Sequence, residues 1–131
     1  MLEEQIETML TAHDGMSIFV RAWAPGQPQR ILVCIQGLGG HGGYYEELAA
    51  QFIPGGTIVV APDLRGHGQS KGRRGDIDRF DHYLLDIDAA VTWAIACWPN
   101  IPIFMLGESM GASLAIQYVA NTVKSSQVWK A

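Results

Sequence analysis

At 131 residues the chain has length for one domain and one core, with no room for a second. Hydrophobic residues make up 48% and charged residues 17%, an ordinary globular composition, and no run reaches the ~18 apolar residues that a membrane-spanning helix needs. Nine basic against 13 acidic residues leave a net charge of -4, so nucleic-acid binding has no electrostatic support, and the basic cluster Lys71-Gly72-Arg73-Arg74 reads as a solvated loop.

The start, Met1-Leu2-Glu3-Glu4-Gln5, is acidic and lacks the basic opening of a secretory leader, which makes the cytoplasm the expected compartment. Thr8-Met9-Leu10-Thr11, then His13-Asp14-Gly15, then residues 16–23 read as a hairpin. Asp14-Gly15 is expected to supply the positive backbone angles of its turn, and apolar residues alternate after it. After the loop Ala24-Pro25-Gly26-Gln27-Pro28, Ile31-Leu32-Val33-Cys34-Ile35 is apolar on both faces, as suits a central strand. It runs into a loop dense in glycine, Gln36-Gly37-Leu38-Gly39-Gly40-His41-Gly42-Gly43. Tyr45, Leu48, Ala49 and Phe52 fall at helical spacing, and Pro54-Gly55-Gly56 ends that helix.

Thr57-Ile58-Val59-Val60-Ala61 is a second buried strand, closed by Pro62-Asp63 and followed by the glycine-rich residues 64–72. A long helix is expected from Asp76 or Asp78 to Pro99, burying Ile77, Phe80, Leu84, Ile87, Val91, Ala94, Ile95 and Trp98. A short apolar run, Ile101-Pro102-Ile103-Phe104-Met105, then leads into Leu106-Gly107-Glu108-Ser109-Met110-Gly111 and a final helix from Ala112. Strands alternating with helices predict an α/β fold: a mostly parallel sheet flanked by helices, with the hairpin at its start. The site of such a sheet lies beyond the carboxyl ends of its strands, where the Gly37 loop, the Arg65 loop and Ser109 would converge. Cys34 and Cys97 lie in apolar runs with no CxxC partner and no histidines at metal spacing, so two buried reduced thiols are expected.

Strand, G-x-S-x-G, helix is the order of a nucleophile elbow. A serine hydroxyl attacks well when a sharp turn lifts it clear of the chain. The residues two before and two after then crowd together, and glycine relieves the clash. Gly107 and Gly111 hold those places around Glu108, Ser109 and Met110, and the Met110 amide would point at the oxygen that becomes negative during attack.

Gln36-Gly37-Leu38-Gly39-Gly40-His41-Gly42-Gly43-Tyr44-Tyr45, Pro62-Asp63-Leu64-Arg65-Gly66-His67-Gly68-Gln69-Ser70 and Gly107-Glu108-Ser109-Met110-Gly111 occur in that order. Together they resemble the α/β-hydrolase superfamily, and within it the monoacylglycerol lipase and lysophospholipase branch with its serine aminopeptidase-like domain. The likeness runs from about residue 11 to about residue 120, the N-terminal half of that fold. It implies Ser109 as nucleophile, the backbone amides of Leu38 and Met110 as oxyanion hole, Gly37, Gly39 and His41 near the pocket, and neither a metal nor an organic cofactor. The family usually carries histidine where this chain has Gln36, so the loop's hydrogen bonding differs, although an amide-based hole does not need that side chain.

The family's triad continues with an acid and then a histidine, yet no Asp, Glu or His follows Ser109 here. Of the four upstream histidines, His67 reads as bracing its turn and His41 as a solvated loop residue or a pocket-lining one. His13 and His82 read as surface or satisfied polar residues. The chain thus reads as a truncated piece of a single domain spanning residues 1–131, inactive or very weak alone, with the strand at residues 101–105 left as a sheet edge that invites self-association. The expected partners are a small-molecule acyl ester, a lipid surface touched peripherally and a second chain at that edge. The competing readings are a non-catalytic domain that binds an acyl ligand or a partner, and a hydrolase of peptide, amide or haloperoxidase-type substrates.

Overall fold

A hairpin opens the fold, described over residues 3–77 and 79–123 in a computed structural model. β1 (Glu3–Thr11) and β2 (Ser17–Pro25) pair antiparallel from Glu3 opposite Pro25 to Thr11 opposite Ser17. Gly15 alone takes the positive φ of the turn, +92°, and the Asp14 carboxylate turns outward to hydrogen bond elsewhere. β2 buries Ile18, Val20 and Ala22, the alternate residues, as the sequence pattern requires.

β3 (Arg30–Ile35) and β4 (Thr57–Pro62) are parallel, with Ile31 opposite Ile58 and Val33 opposite Val60. β2 lies antiparallel on the far side of β4, and β5 (Ile103–Gly107) lies parallel on the far side of β3. The resulting order is β1-β2-β4-β3-β5. β4 is buried along its whole length, which explains its unbroken apolar run.

Helices cover both faces. On one face Val20, Ile31, Val33, Ile58 and Val60 pack with Tyr83, Ile87 and Val91 of α2 (His82–Cys97) and Leu114 of α3 (Met110–Val123). On the other, Trp23, Cys34, Val59 and Ala61 meet Tyr45, Ala49 and Ile53 around α1 (Glu46–Phe52). Each fully buried Ile or Val contributes about 1.5–3 kcal/mol against the ordering entropy. Flanking 3-10 turns, Gly42–Tyr45 and Ile53–Gly55, take up residues that helical spacing alone assigned to one helix.

Several expectations need correction. α2 begins at His82, because positive φ at Gly72 and Gly75 and the Asp76 carboxylate, bonded to the Ile77 amide at 2.8 Å, hold the chain in turns. Phe80 consequently stands outside the helix, 44% exposed, and Tyr83 and Asp86 take buried places that were not expected. Cys97 is exposed, because it ends α2 on the helix's outward side; Cys34 is buried as expected. Phe52 is likewise on the outer side of α1. Asp78, Met1, Leu2 and residues 124–131 of the tail lie outside the described residues.

Among the described residues β5 forms the edge of the sheet, pairing with β3 alone. Its outward-facing Phe104 and Leu106 are 53% and 38% exposed. The opposite edge, β1, carries the acidic Glu4 and Glu7, a charge pattern that discourages strand addition.

Candidate active site

β5 delivers the chain to the carboxyl end of the sheet at Gly107. The Glu108 amide then donates to Ile35 O at 3.1 Å, which swings the chain over the end of β3. Ser109 follows in the left-handed region at φ +57° and is exposed, and α3 starts at Met110. Gly111 N donates to Glu108 O and Ala112 N to Ser109 O, both at 2.9 Å, closing the bend into the helix. A left-handed non-glycine residue costs of order 1–3 kcal/mol and persists where its surroundings over-determine it. The surroundings here do so. A Cβ on Gly107 would overlap Gly111 O and Ala112 Cα, and a Cβ on Gly111 would overlap the main-chain oxygens of Ile35 and Gln36.

The glycine loop after β3 lies against this bend. A Cβ on Gly37 would stand 3.3 Å from Ser109 Cβ and 3.2 Å from Glu108 O. Gly37 is buried, the Leu38 side chain beyond it is 67% exposed, and Gly39 turns at φ +83°. Ser109, Glu108, Gly37, Gly107 and Gly111 thus lie together at this bend, and Met110 opens α3. The first four amides of a helix have no intrahelical acceptor, and the Met110 amide is the first of them.

His41 plays a local part. Its Nδ1 accepts from Gly43 N at 3.1 Å, capping the turn Gly42–Tyr45, and its ring packs on Tyr44 with centroids 4.3 Å apart. It is therefore neither a freely solvated ring nor an uncommitted base. His67 is buried with Nδ1 3.0 Å from Arg65 O, so Nδ1 carries the proton, and Nε2 has no hydrogen-bond partner among the described residues. That contact braces the turn. His13 is exposed, and His82 is partly buried at the start of α2.

Sequence reasoning missed the polar scaffold beneath these loops. Gln36 is buried and bonded to both neighbouring loops. Asp63 is fully buried, accepting from Arg21 Nη1 at 3.0 Å, from Gly42 N at 2.5 Å and from Gln69 N at 2.9 Å. Arg65 lies between two carboxylates, with Nη1 2.7 Å from Asp14 Oδ2 and Nη2 2.8 Å from Asp86 Oδ1. Hydrogen bonding by Arg65 holds the Asp14 carboxyl down at about 2. Burial pushes Asp86 up, and its bonds from Arg65 oppose that push. One signal was available: Asp86 sits at helical spacing among Tyr83, Ile87 and Ala90, and a charge on a buried stripe needs a partner. Burial also raises the Cys34 thiol to about 12.

A cleft of about 430 Å³, lined by Pro25, Gly26, Gln27, Gln29, Pro54, Gly55 and Gly56, lies at the opposite, amino end of the parallel strands. It holds none of the residues that gather around Ser109.

Comparison with known proteins shows the family and the fold. Residues 26–129 match the family model described as serine aminopeptidase, S33. The human monoglyceride lipase is 38% identical over 109 residues, covering 82% of this chain and 36% of that protein. The phospholipase YtpA of Bacillus subtilis is 34% identical over 97 residues, covering 74% of this chain and 37% of its own length. The crystal structure of a thermostable carboxyl esterase from Bacillus coagulans superposes with a TM-score of 0.78 at 25% identity, covering 96% of this chain and 42% of that one. The chain spans little more than a third of the length of the curated relatives it matches.

Proposed function

The chain belongs to the serine aminopeptidase S33 family of α/β-hydrolases, and on that premise we propose that it carries the nucleophile and oxyanion site of a serine hydrolase of carboxylic esters. Monoacylglycerols or lysophospholipids are the proposed substrates, on the strength of relatives named monoglyceride lipase and phospholipase. Peripheral contact with a lipid surface follows from that substrate class. The observation that carries the proposal is the exposed Ser109, held at φ +57° with the Gly37 loop packed against it.

In this reading Ser109 Oγ attacks the ester carbonyl carbon and its proton passes to a base. The carbonyl oxygen becomes an oxyanion, held by the amides of Leu38 and Met110. Collapse breaks the ester C–O bond, the alcohol leaves with a proton, and the acyl group stays on Ser109. Water then attacks, the acid departs, and the hydroxyl is restored. The base is not among these residues. None of Asp, Glu or His follows Ser109, the His41 Nδ1 lone pair is bound to Gly43 N, and His67 is buried with its Nδ1–H given to Arg65 O, bracing its own turn. The family resemblance places an acid and then a histidine after the serine, and neither stands after Ser109 in these 131 residues.

A fluorophosphonate probe followed by peptide mapping tests this. The 131 residues alone label slowly or not at all at Ser109. A chain continuing through an aspartate and a histidine labels promptly, hydrolyses a monoacylglycerol, and loses both properties in Ser109→Ala. Failure of that longer chain to label refutes the hydrolase and favours the acyl-binding domain.

A further inference from the structure

We propose that Gln36 is the positioning residue of the loop that carries Leu38, and that it holds the loop with a clamp that does not titrate. The inference rests on reading the Leu38 amide as an oxyanion donor, and it names what fixes that amide. Gln36 is the residue directly after β3 and is 1% exposed. Its Nε2 donates to Gly37 O at 3.1 Å and also to Gly40 O, and its Oε1 accepts from Leu64 N at 2.9 Å. Gly40 N donates back to Gly37 O at 3.1 Å. The two carbonyls on either side of Leu38 and Gly39 are therefore gripped by one amide, which is itself bolted to the residue after Asp63 at the carboxyl end of the sheet.

The network admits one orientation of that amide. Exchanging its oxygen and nitrogen would set the NH₂ group against the Leu64 N–H and the oxygen against two carbonyls. The loop needs such a fixture. Three of its four residues, Gly37, Gly39 and Gly40, are glycines, which lose the most freedom on being ordered. Oxyanion donors act in proportion to how well they are held before the charge develops.

The histidine usual at this position in the family offers less. Neutral imidazole donates through one nitrogen and accepts through the other, and protonation near pH ~6.5 removes the acceptor that would face Leu64 N. A primary amide donates twice, accepts, and stays neutral. Titratable groups around the loop are His41, Asp63 with its Arg21 partner, and the exposed Glu108. Cys34 and Tyr45, both raised to about 12 by burial, stay neutral across the relevant range. All of these are shared by the native chain and its variants, so differences between them report on position 36.

The test uses the chain continued through an aspartate and a histidine, with Gln36→Glu, Gln36→His and Gln36→Leu, and reads amide hydrogen exchange together with the rate of Ser109 acylation by an activated ester from about pH 5 to about pH 8. In Gln36→Glu the ionised side chain turns two donors into acceptors facing two carbonyls. Exchange at residues 37–42 is expected to rise about tenfold while α2 and α3 keep their protection, and the maximal acylation rate to fall about tenfold with half-saturation nearly unchanged. Gln36→His should match the native rate near pH 8 and fall below it as the ring protonates. If Gln36→Leu does not fold, the two polar variants still decide. Exchange at residues 37–42 within about twofold of native in Gln36→Glu, or a Gln36→His profile superimposable on the native one, overturns the proposal. Absence of acylation in the continued chain with Gln36 unchanged would sink the hydrolase reading, and the exchange data alone would then decide the clamp.

Discussion

Gly111→Ala sets two effects of opposite sign against each other. Gly111 is the second residue of α3, where alanine gains about 1 kcal/mol of helix propensity over glycine. That gain already contains the loss of glycine's freedom in the unfolded chain, so it counts once. Against it stands the Cβ, which would overlap the main-chain oxygens of both Ile35 and Gln36. Backbone at the end of a central strand cannot rotate aside as a side chain can. Overpacking costs about 1–3 kcal/mol per site and more where nothing yields, so two backbone overlaps call for upwards of 3. The net expectation is a loss of about 2 kcal/mol. Gly55→Ala is the control, because nothing lies within 4 Å of its added Cβ and its φ is outside the left-handed range. That change should stay within about 0.5 kcal/mol. Urea unfolding followed by circular dichroism measures both, as a shifted midpoint with an unchanged slope. A Gly111→Ala chain as stable as the native one, or more so, would show that α3 does not press on β3. The bend at Ser109 would then have lost its structural cause.

Three further outcomes follow from the buried polar scaffold and the two thiols. Arg65→Met strips the fully buried Asp86 of its ion pair and should cost about 3–5 kcal/mol in urea unfolding, most of it recovered when Asp86→Leu is added; a loss under about 1 kcal/mol would contradict the pairing. Asp14, whose folded value of about 2 lies below its unfolded one, contributes stability that is complete above about pH 4 and is lost as pH falls towards 2. Its side chain is 33% exposed, so solvent screening limits that contribution to about 1 kcal/mol. The stability difference between native chain and Asp14→Asn should close between about pH 4 and pH 2, and a difference constant with pH would refute the assignment. Iodoacetamide at about pH 8 should modify the exposed Cys97 and spare the buried Cys34 by about a hundredfold, read by mass spectrometry of the native protein; equal labelling would mean that the β3 core opens readily.

The sequence exposes best what repeats along the backbone. Unbroken apolar runs mark β3 and β4 because both faces of those strands are covered, and alternation marks β2 because one face is less so. The bend at Ser109 is legible for a sharper reason: the same two glycines that the motif demands are the ones whose Cβ atoms would strike backbone. The start of α2 was not legible, because Ile77 and Phe80 keep helical spacing while glycines and a side-chain bond hold their backbone in turns. Tertiary polar contacts were the least legible. Asp14 and Arg65 are 51 residues apart, Gln36 and Leu64 are 28 apart, and no periodicity links such positions. Glycine at positive φ carries a local sequence signal; a buried amide that bridges two loops carries none until the sheet has brought them together.

The contacts that shape the bend run inward. Glu108 N bonds Ile35 O, Gly111 presses on Ile35 and Gln36, and Gly37 packs on Glu108 and Ser109. All lead to β3 or to the loop directly after it, and β3 is held between β4 and β5 in the middle of the parallel strands. Gln36 and Asp63 then tie that loop to the end of β4. The outer edge of β5, where Phe104 and Leu106 meet solvent, contributes to none of these contacts. The geometry of the bend at Ser109 is thus set without either of those side chains. The central strand and its two loops shape the bend, while His41 and His67 are each bonded within their own loop, at Gly43 N and Arg65 O. On the reading of Ser109 proposed above, these 131 residues carry the shaping of the serine.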